Sequence, residues 1–529
     1  MKSFRQSQAS LHTWSGLLLG WVLFVVFVTG TIAFWREGLN RWMRPELARV
    51  ESPATVLAGA QRFLQGKAPD AKSWFITMPG VSSPGAQVLW IPQPKPGEIA
   101  RGRRGRRDTQ ALIGADGRPT VARETRGGDF FYRFHFDLYY MPVIWARWLV
   151  GVASIMMLVA ILTGIVTHKK IFRDFFTLRR QKDQRSWLDG HNATAVLALP
   201  FHLMITYTGI VTLMALLMPW ATIANYEDEA KFSDAMFPHV KAEERSGTAT
   251  PLTDLRRIVR DAEARLGGPA GFIEVTQPGD VVSRVTVSRT PGSMLNTRTP
   301  LATYDGATGK LVWQSPAPGG AAATAGVMIG LHAGRFGDTT MRWLYFLCGV
   351  AGTLMVASGL ILWTVKRRGK LPDPARPHFG FRLVERLNVA VIGGFPLGVA
   401  CLLWANRLLP VAMKGRAAWE VHALFLAWGA ALLLALVRKP QHGWVALLGA
   451  TGGLLALLPV YNIAFTERGL FASLSSGDWL PVGVDLTLIV FAAGFLATAR
   501  RVVRHEPGRR KLRRARPAAT PAALPEPAE

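Results

Sequence analysis

WLDGHNATAVLALPFHLMITYTG, residues 187–209, sets two histidines, His191 and His202, eleven residues apart. That spacing is close to three helical turns, so on one continuous helix the rings share a face, about 16 Å apart along the axis. The apolar run continues to Trp220, which predicts a membrane-spanning helix with one ring at its mouth and one inside. Ionisable side chains inside a bilayer are costly and take a partner or a ligand. Neutral imidazole binds haem iron well, and helices that present stacked histidines suit b-type haem. The competing reading is one interfacial histidine and one hydrogen-bonded within a helix bundle.

The rest of the chain agrees with a membrane setting. Of 529 residues 49% are hydrophobic and 18% charged, below the usual quarter, and several apolar runs are long enough to cross a bilayer. The net charge of +27 does not point to nucleic acid, because the basic residues gather beside the ends of apolar runs, where they set topology. Cys348 and Cys401 each lie within an apolar run. With no disulfide framework, CxxC or CxxCH, any haem is non-covalent. The first run follows Lys2 and Arg5 but is too long for a signal peptide and lacks a small-residue cleavage site, which predicts an uncleaved anchor.

The predicted fold class is an all-α polytopic membrane protein with two small α+β domains outside the bilayer. Eight spans are expected near 14–35, 143–167, 193–219, 341–365, 387–409, 419–437, 443–464 and 481–499. The organisation is 1–45 with the first span, 46–140 as one outer domain, and 141–219 with two spans and a basic loop. It continues as 220–338, a second outer domain, 339–370 with the fourth span, 371–500 with four more, and 501–529 as a basic disordered tail. The first outer segment reads as a helix over 54–65 with strands at 73–77 and 87–91 and a turn at Ala115-Asp116-Gly117. The second reads as a helix over 252–266 with strands near 272–276, 281–288, 301–304 and 311–314. Basic residues place the N-terminus, the 168–190 and 366–386 loops, Arg438-Lys439 and the tail in the cytoplasm, and both outer domains in the periplasm of a Gram-negative cell. RGRRGRR, 101–107, reads as a flexible loop too far from any span end to bear on topology.

The first four spans are a duplicated unit. His12 precedes Thr29-Gly30 by seventeen residues and His191 precedes Thr208-Gly209 by the same seventeen. Arg147-Trp148-Leu149 precedes Thr163-Gly164 by sixteen, and Arg342-Trp343-Leu344 precedes Ser358-Gly359 by sixteen. Upstream of those arginines lie His135, in FYRFHFDLYY, and His332, in IGLHAGRFGD. The Thr-Gly and Ser-Gly pairs suit either close helix packing or the edge of a haem.

The stretches LHTWSGLLLG with FVTG, FFYRFHFDLYY with ILTG, HNATAVLALPFHLMITYTG, and GLHAGRFGDTTMRWLYFLCGVAGTLMVASGLILW carry a family resemblance. Over roughly 8–370 the chain resembles the PepSY-associated transmembrane proteins, including inner-membrane ferric-siderophore reductases that carry two b haems. The resemblance implies two haems, and PepSY-like outer domains more by pattern than by motif. It does not fix the histidine pairing and says little about the last four spans.

Sorting the histidines by depth places His12, His168 and His191 near the cytoplasmic face, His202 deeper, and His135 and His332 near the outer face. An outer haem is expected on some of His135, His332 and His202, and an inner haem on some of His12, His168, His191 and His202. Arg147 and Arg342 are candidates for the haem propionates, against snorkelling to lipid headgroups. His422, beside Glu420, reads as interfacial, and His239, His378, His442 and His505 as solvated. The expected activity is a transmembrane oxidoreductase that passes electrons outward to a ferric siderophore held against the outer domains. With no GxGxxG fingerprint in a βαβ setting, the electron donor is a quinol or a partner reductase, and the other contacts are with membrane lipid. Two rivals stand beside this: a siderophore or metal permease, which predicts transport without haem, and a non-enzymatic PepSY-domain sensor or assembly protein, which predicts dispensable membrane histidines.

Overall fold

The computed structural model describes residues 3–47, 52–81, 83–94, 109–168 and 184–504. The 101–107 loop, most of the basic loop before the third span and the tail from 505 lie outside these residues.

The first repeat unit contains α1 (Phe4–Ala33), α2 (Arg36–Trp42), α3 (Pro53–Lys67), β1 (Ser73–Thr77), β2 (Ala86–Ile91), β3 (Gln110–Ile113), α4 (Gly127–Asp137) and α5 (Val143–Thr167). The second contains α6 (Gln184–Leu197), α7 (Leu199–Thr212), α8 (Leu255–Leu266), β4 (Ala270–Thr276), β5 (Arg284–Arg289), β6 (Leu301–Asp305), β7 (Leu311–Gln314), α9 (Gly320–Ala333) and α10 (Thr339–Arg368). The order of the two units matches the duplication read from the spacings. Four further helices close the chain: α11 (Phe379–Leu408), α12 (Arg416–Val437), α13 (Pro440–Phe465) and α14 (Trp479–Val503). Among the described residues seven helices are long and apolar enough to cross a membrane, and the count is eight if α6 and α7 are one broken span.

That break corrects the opening expectation of a straight helix through His191 and His202. α6 and α7 meet at a 68° bend, at Ala198, whose backbone leaves the helical region just before Pro200. Proline lacks an N–H and its ring clashes with the carbonyl four residues back, here that of Val196, so the helix restarts at Leu199 and the two histidines point into different parts of the bundle.

The outer segments also differ from expectation. They do not form two separate domains but one seven-stranded antiparallel sheet in the order β3-β2-β1-β4-β5-β6-β7. The seam is β1 against β4, with Ser73 opposite Thr276 and Thr77 opposite Phe272. Alternate residues Trp74, Ile76, Val88, Ile273, Val275, Val285 and Val287 are buried in one core with Leu57 and Leu64 of α3 and Leu255 and Ile258 of α8. A small two- or three-stranded sheet is marginal alone. Joining the two pays for both, since each fully buried aliphatic side chain contributes about 1.5–3 kcal/mol. The expected strand at 281–288 begins only at Arg284, because Asp280 holds the preceding residues in a turn by accepting from the Val282 N–H at 3.1 Å.

α11–α14 are fastened to both repeat units by buried polar groups. Trp21 Nε1 donates to Asn388 Oδ1 at 3.0 Å, and Asn388 Nδ2 donates to the Leu360 carbonyl at 3.1 Å. The π-helical turn Val389–Gly393 inside α11 exposes the Ala390 carbonyl, which accepts from Trp428 Nε1 at 3.1 Å. At the sheet-bearing end, Trp42 Nε1 and Asn462 Nδ2 both donate to Asp485 Oδ1 at 3.0 Å. Arg407 donates to Asn462 Oδ1 at 2.7 Å and to the Trp42 carbonyl at 3.0 Å. Arg416 and Glu420, both fully buried, form an ion pair. Arg416 also donates to the Glu124 carbonyl at 2.9 Å, and Thr125 donates to Glu420. Glu124 and Thr125 lead directly into α4, so this knot sets where α4 stands.

Candidate functional site

Four of the six candidate histidines occupy four copies of one local seat. His12 Nδ1 donates to the Ala160 carbonyl at 2.8 Å, and His135 Nδ1 to Val26 at 2.7 Å. His191 Nδ1 donates to Met355 at 2.9 Å, and His332 Nδ1 to Ile205 at 3.0 Å. Each accepting carbonyl lies four residues before the glycine of a Thr-Gly or Ser-Gly pair: Gly164, Gly30, Gly359 and Gly209. The hydroxyl before that glycine donates to the same carbonyl, Thr163 to Ala160 at 3.2 Å, Thr29 to Val26 at 3.2 Å, Ser358 to Met355 at 3.0 Å and Thr208 to Ile205 at 3.3 Å.

The glycine makes the room. A Cβ there would stand 2.6 Å from the His135 ring at Gly30 and 2.9 Å from the His332 ring at Gly209. It would stand 3.1 Å from His191 at Gly359 and 3.2 Å from His12 at Gly164. Helix contact and ring accommodation, the two roles weighed for these pairs, thus meet in one device: the small residue admits an imidazole.

A carbonyl oxygen only accepts, so each Nδ1 carries the ring proton and each Nε2 keeps its lone pair. Fixing the tautomer from behind in this way is how metal-ligating histidines are oriented and made more basic.

The rings come together in two pairs, each with one member from each repeat unit. His12 and His191 have ring centroids 6.3 Å apart, and His135 and His332 have theirs 6.0 Å apart. Two imidazoles on opposite sides of one metal, bound through Nε2 at about 2 Å each, place their centres roughly 6 Å apart, so both pairs have a spacing that fits bis-imidazole ligation. Among the described residues no three His, Cys, Asp or Glu side chains gather as a bare metal-ion site. A macrocycle such as haem supplies its own equatorial nitrogens and asks the protein for axial ligands alone. His12 and Val26, the carbonyl that receives His135, are fourteen residues apart on α1. That separates the pairs by about 20 Å along the helix, most of an apolar core about 30 Å thick.

The other candidates are elsewhere. His202 is fully buried and belongs to neither pair. The carbonyls of Cys348 and Ala195 approach it, but neither ring nitrogen completes a hydrogen bond. It sits between the pairs: Ile205, the His332 acceptor, is three residues on along α7. Gly352, whose Cβ would lie 3.1 Å from His202 Nε2, is three residues before Met355, the His191 acceptor. His168 lies at the end of α5, its backbone N–H donating to Gly164 at 3.1 Å, near enough to His191 for their charges to interact. Arg147 is engaged by Asp137 at 2.8 Å, and Arg342 by the Gly337 carbonyl at 3.3 Å and Glu37 at 3.4 Å. His422 stacks on Tyr140 at 5.8 Å and hydrogen-bonds its hydroxyl, so it is a packing group at the helix end. His378 caps α11 by accepting from the Phe381 N–H at 3.2 Å.

Comparison with known proteins agrees with the repeat boundaries. The family model for the PepSY-associated TM region matches residues 9–366, which contains both histidine pairs and stops at the end of α10. A Pseudomonas aeruginosa protein described only as "Uncharacterized protein PA4219" is 27% identical over 360 residues, covering 66% of this chain and 88% of that protein.

Proposed function

We propose, for a chain that belongs to the family of PepSY-associated transmembrane proteins, a transmembrane oxidoreductase that holds two b haems and delivers electrons to a ferric siderophore at the sheet-bearing face. One observation carries the reading. Two imidazole pairs, each with its Nδ1 protons tied to backbone and its Nε2 lone pairs free, stand near opposite ends of the bundle at 6.3 and 6.0 Å.

His12 and His191 would hold one haem and His135 and His332 the other. When bound, b haem supplies a one-electron couple at iron that no protein side chain in an apolar interior provides. The chain's own residues fix ligand geometry through the four carbonyl seats, exclude water with the surrounding apolar side chains, and space the two sites across the bilayer. Each electron delivered converts one Fe(III) to Fe(II). Hard oxygen ligands of a siderophore hold the softer, less charged Fe(II) far less tightly, so iron is released. The electron comes from a quinol or a partner reductase at the opposite face.

Lys366, Arg367 and Arg368 close α10 at the end away from the sheet. The positive-inside rule supports a cytoplasmic location for that end, and with it a periplasmic sheet on a bacterial inner-membrane protein.

The test is electron delivery by the reconstituted protein. Haem-loaded protein in liposomes, reduced anaerobically, is mixed with an external ferric hydroxamate and an Fe(II)-specific chelator. The expected result is chelated Fe(II) in step with haem re-oxidation, abolished in His135→Ala. Uptake of intact ferric complex with no haem re-oxidation would replace the reductase by a permease.

A further inference from the structure

Beyond the outer histidine pair lies a group of donors short of acceptors. Trp35 and Arg36 follow the end of α1, five and six residues past Gly30, the seat of His135. Arg335 is three residues past His332, and Tyr132 is three residues before His135 on α4. Gly334 brings the two chain segments together: a Cβ there would lie 3.0 Å from Tyr345 and 3.5 Å from Phe34.

The guanidinium of Arg36 lies over the Tyr132 ring at 4.5 Å and that of Arg335 over the same ring at 5.3 Å. Among the described residues Arg335 makes no hydrogen bond or ion pair. Among the described residues Arg36 pairs with Asp129 alone, at 3.8 Å, and that carboxylate is half exposed. The Trp35 indole N–H is buried and has no acceptor. Burial, and next to it the positive charge of Arg36, pull the Arg335 guanidinium below its usual range. Two guanidinium groups thus meet at the Tyr132 ring, with Glu37 and Asp129 the carboxylates whose charge reaches Arg335, and the residue that precedes Arg36 carries an indole N–H without an acceptor. A buried donor left unsatisfied costs about 1–3 kcal/mol, and an arginine fork matches a carboxylate in two parallel hydrogen bonds.

We propose that Trp35, Arg36 and Arg335, braced by Tyr132, form a carboxylate-binding cradle at the outer end of the His135–His332 pair. This rests on the reading of that pair as a haem site, and it replaces Arg147 and Arg342, whose guanidinium groups already have acceptors. The carboxylate has two possible sources: a propionate of the haem held by His135 and His332, or a carboxylate of an arriving ferric chelate.

The experiment compares wild type with Arg335→Gln, Arg335→Lys and Trp35→Phe as full-length haem-loaded protein. Haem content comes first, then a spectroscopic redox titration without substrate, then binding of ferric citrate. If the carboxylate belongs to the haem, Arg335→Gln lowers the midpoint potential of one of the two haems, because a positive charge that favoured the reduced form is gone. Ferric citrate binding then stays unchanged. If it belongs to the chelate, both potentials hold and ferric citrate binds about tenfold more weakly, the worth of one charge-assisted hydrogen bond. In either case Arg335→Lys and Trp35→Phe show the same change in smaller measure, which separates loss of the cradle from loss of folding. Unchanged potentials together with unchanged citrate binding overturn the proposal. A wild-type protein without haem would instead overturn the haem reading, and citrate binding would still decide whether the cradle takes carboxylates.

Discussion

The four histidine seats and the polar knot of the last four spans both fix polar groups inside an apolar bundle, and they do so in opposite ways. Each seat is local: one glycine, one hydroxyl and one carbonyl on a single helix receive one ring from a neighbour. The knot is distributed. Arg407, Arg416, Glu420, Asn462 and Asp485 share hydrogen bonds with one another and with Trp42, Glu124 and Thr125. Local seats can fail one at a time. A shared buried network fails as a unit, because each member removed leaves others unpaired.

The knot gives the sharpest break. In Glu420→Ala the fully buried Arg416 loses its partner, and breaking a buried ion pair costs about 3–5 kcal/mol. Thermal unfolding in detergent should show a large loss. Because Thr125 runs into α4, the His135–His332 site should lose haem before the His12–His191 site does. Equal loss from both sites would mean that the knot does not act through α4.

Single-seat damage comes next. Gly30→Ala drives a methyl to within 2.6 Å of the His135 ring and should remove about half of the bound haem, the value expected if sites are independent. Gly453→Ala, on α13 where a Cβ meets nothing within 4 Å, is the matched control and should keep all of it. Haem per chain by pyridine haemochrome distinguishes the two. A normal haem content in Gly30→Ala would contradict the seat.

His202 offers a smaller effect with the opposite sign. Removing a buried polar group that lacks hydrogen bonds is neutral or stabilising by about 1–3 kcal/mol. His202→Leu should therefore keep two haems and unfold at the same or a higher temperature. Loss of a haem would make His202 a ligand after all.

The smallest effect lies in the sheet. Hydrogen bonds from the Ser246 hydroxyl, ahead of backbone N–H groups of Val282 and Gly247, hold the Asp280 carboxyl down to about 2. A carboxyl lowered by folding contributes stability that is full above its ordinary value and is lost as pH falls toward the folded one. Protection of the Gly247 and Val282 amides, taken against their intrinsic exchange at each pH, should fall between about pH 4 and pH 2 in wild type. Asp280→Asn should exchange faster already at neutral pH and show no such step.

The repeat was legible in the chain because covalent spacing is preserved: seventeen residues from His12 to Thr29 and from His191 to Thr208 mark equivalent helices. Which histidines meet was not, since each pair joins rings more than 170 residues apart and each ring docks on a different helix from its own. The straight helix through His191 and His202 missed the consequence of Pro200. The two separate outer domains missed the β1–β4 seam, because strand pairing between segments leaves no local pattern. Arg36 and Arg335 lie 299 residues apart in the chain, and nothing in the local pattern shows that both stand over Tyr132. The Arg416–Glu420 pair was visible as an i, i+4 spacing, but its burial follows only from the packing of α11–α14 on the first unit.

Two bis-histidine haem sites should be visible in a dithionite-reduced absorption spectrum with haemochrome quantitation of wild type, His12→Ala and His135→Ala. Wild type should show a low-spin b-type spectrum at about two haems per chain and each variant about one, with the remaining haem differing between them. A colourless wild-type protein from haem-replete cells, or variants that keep both haems, would contradict it.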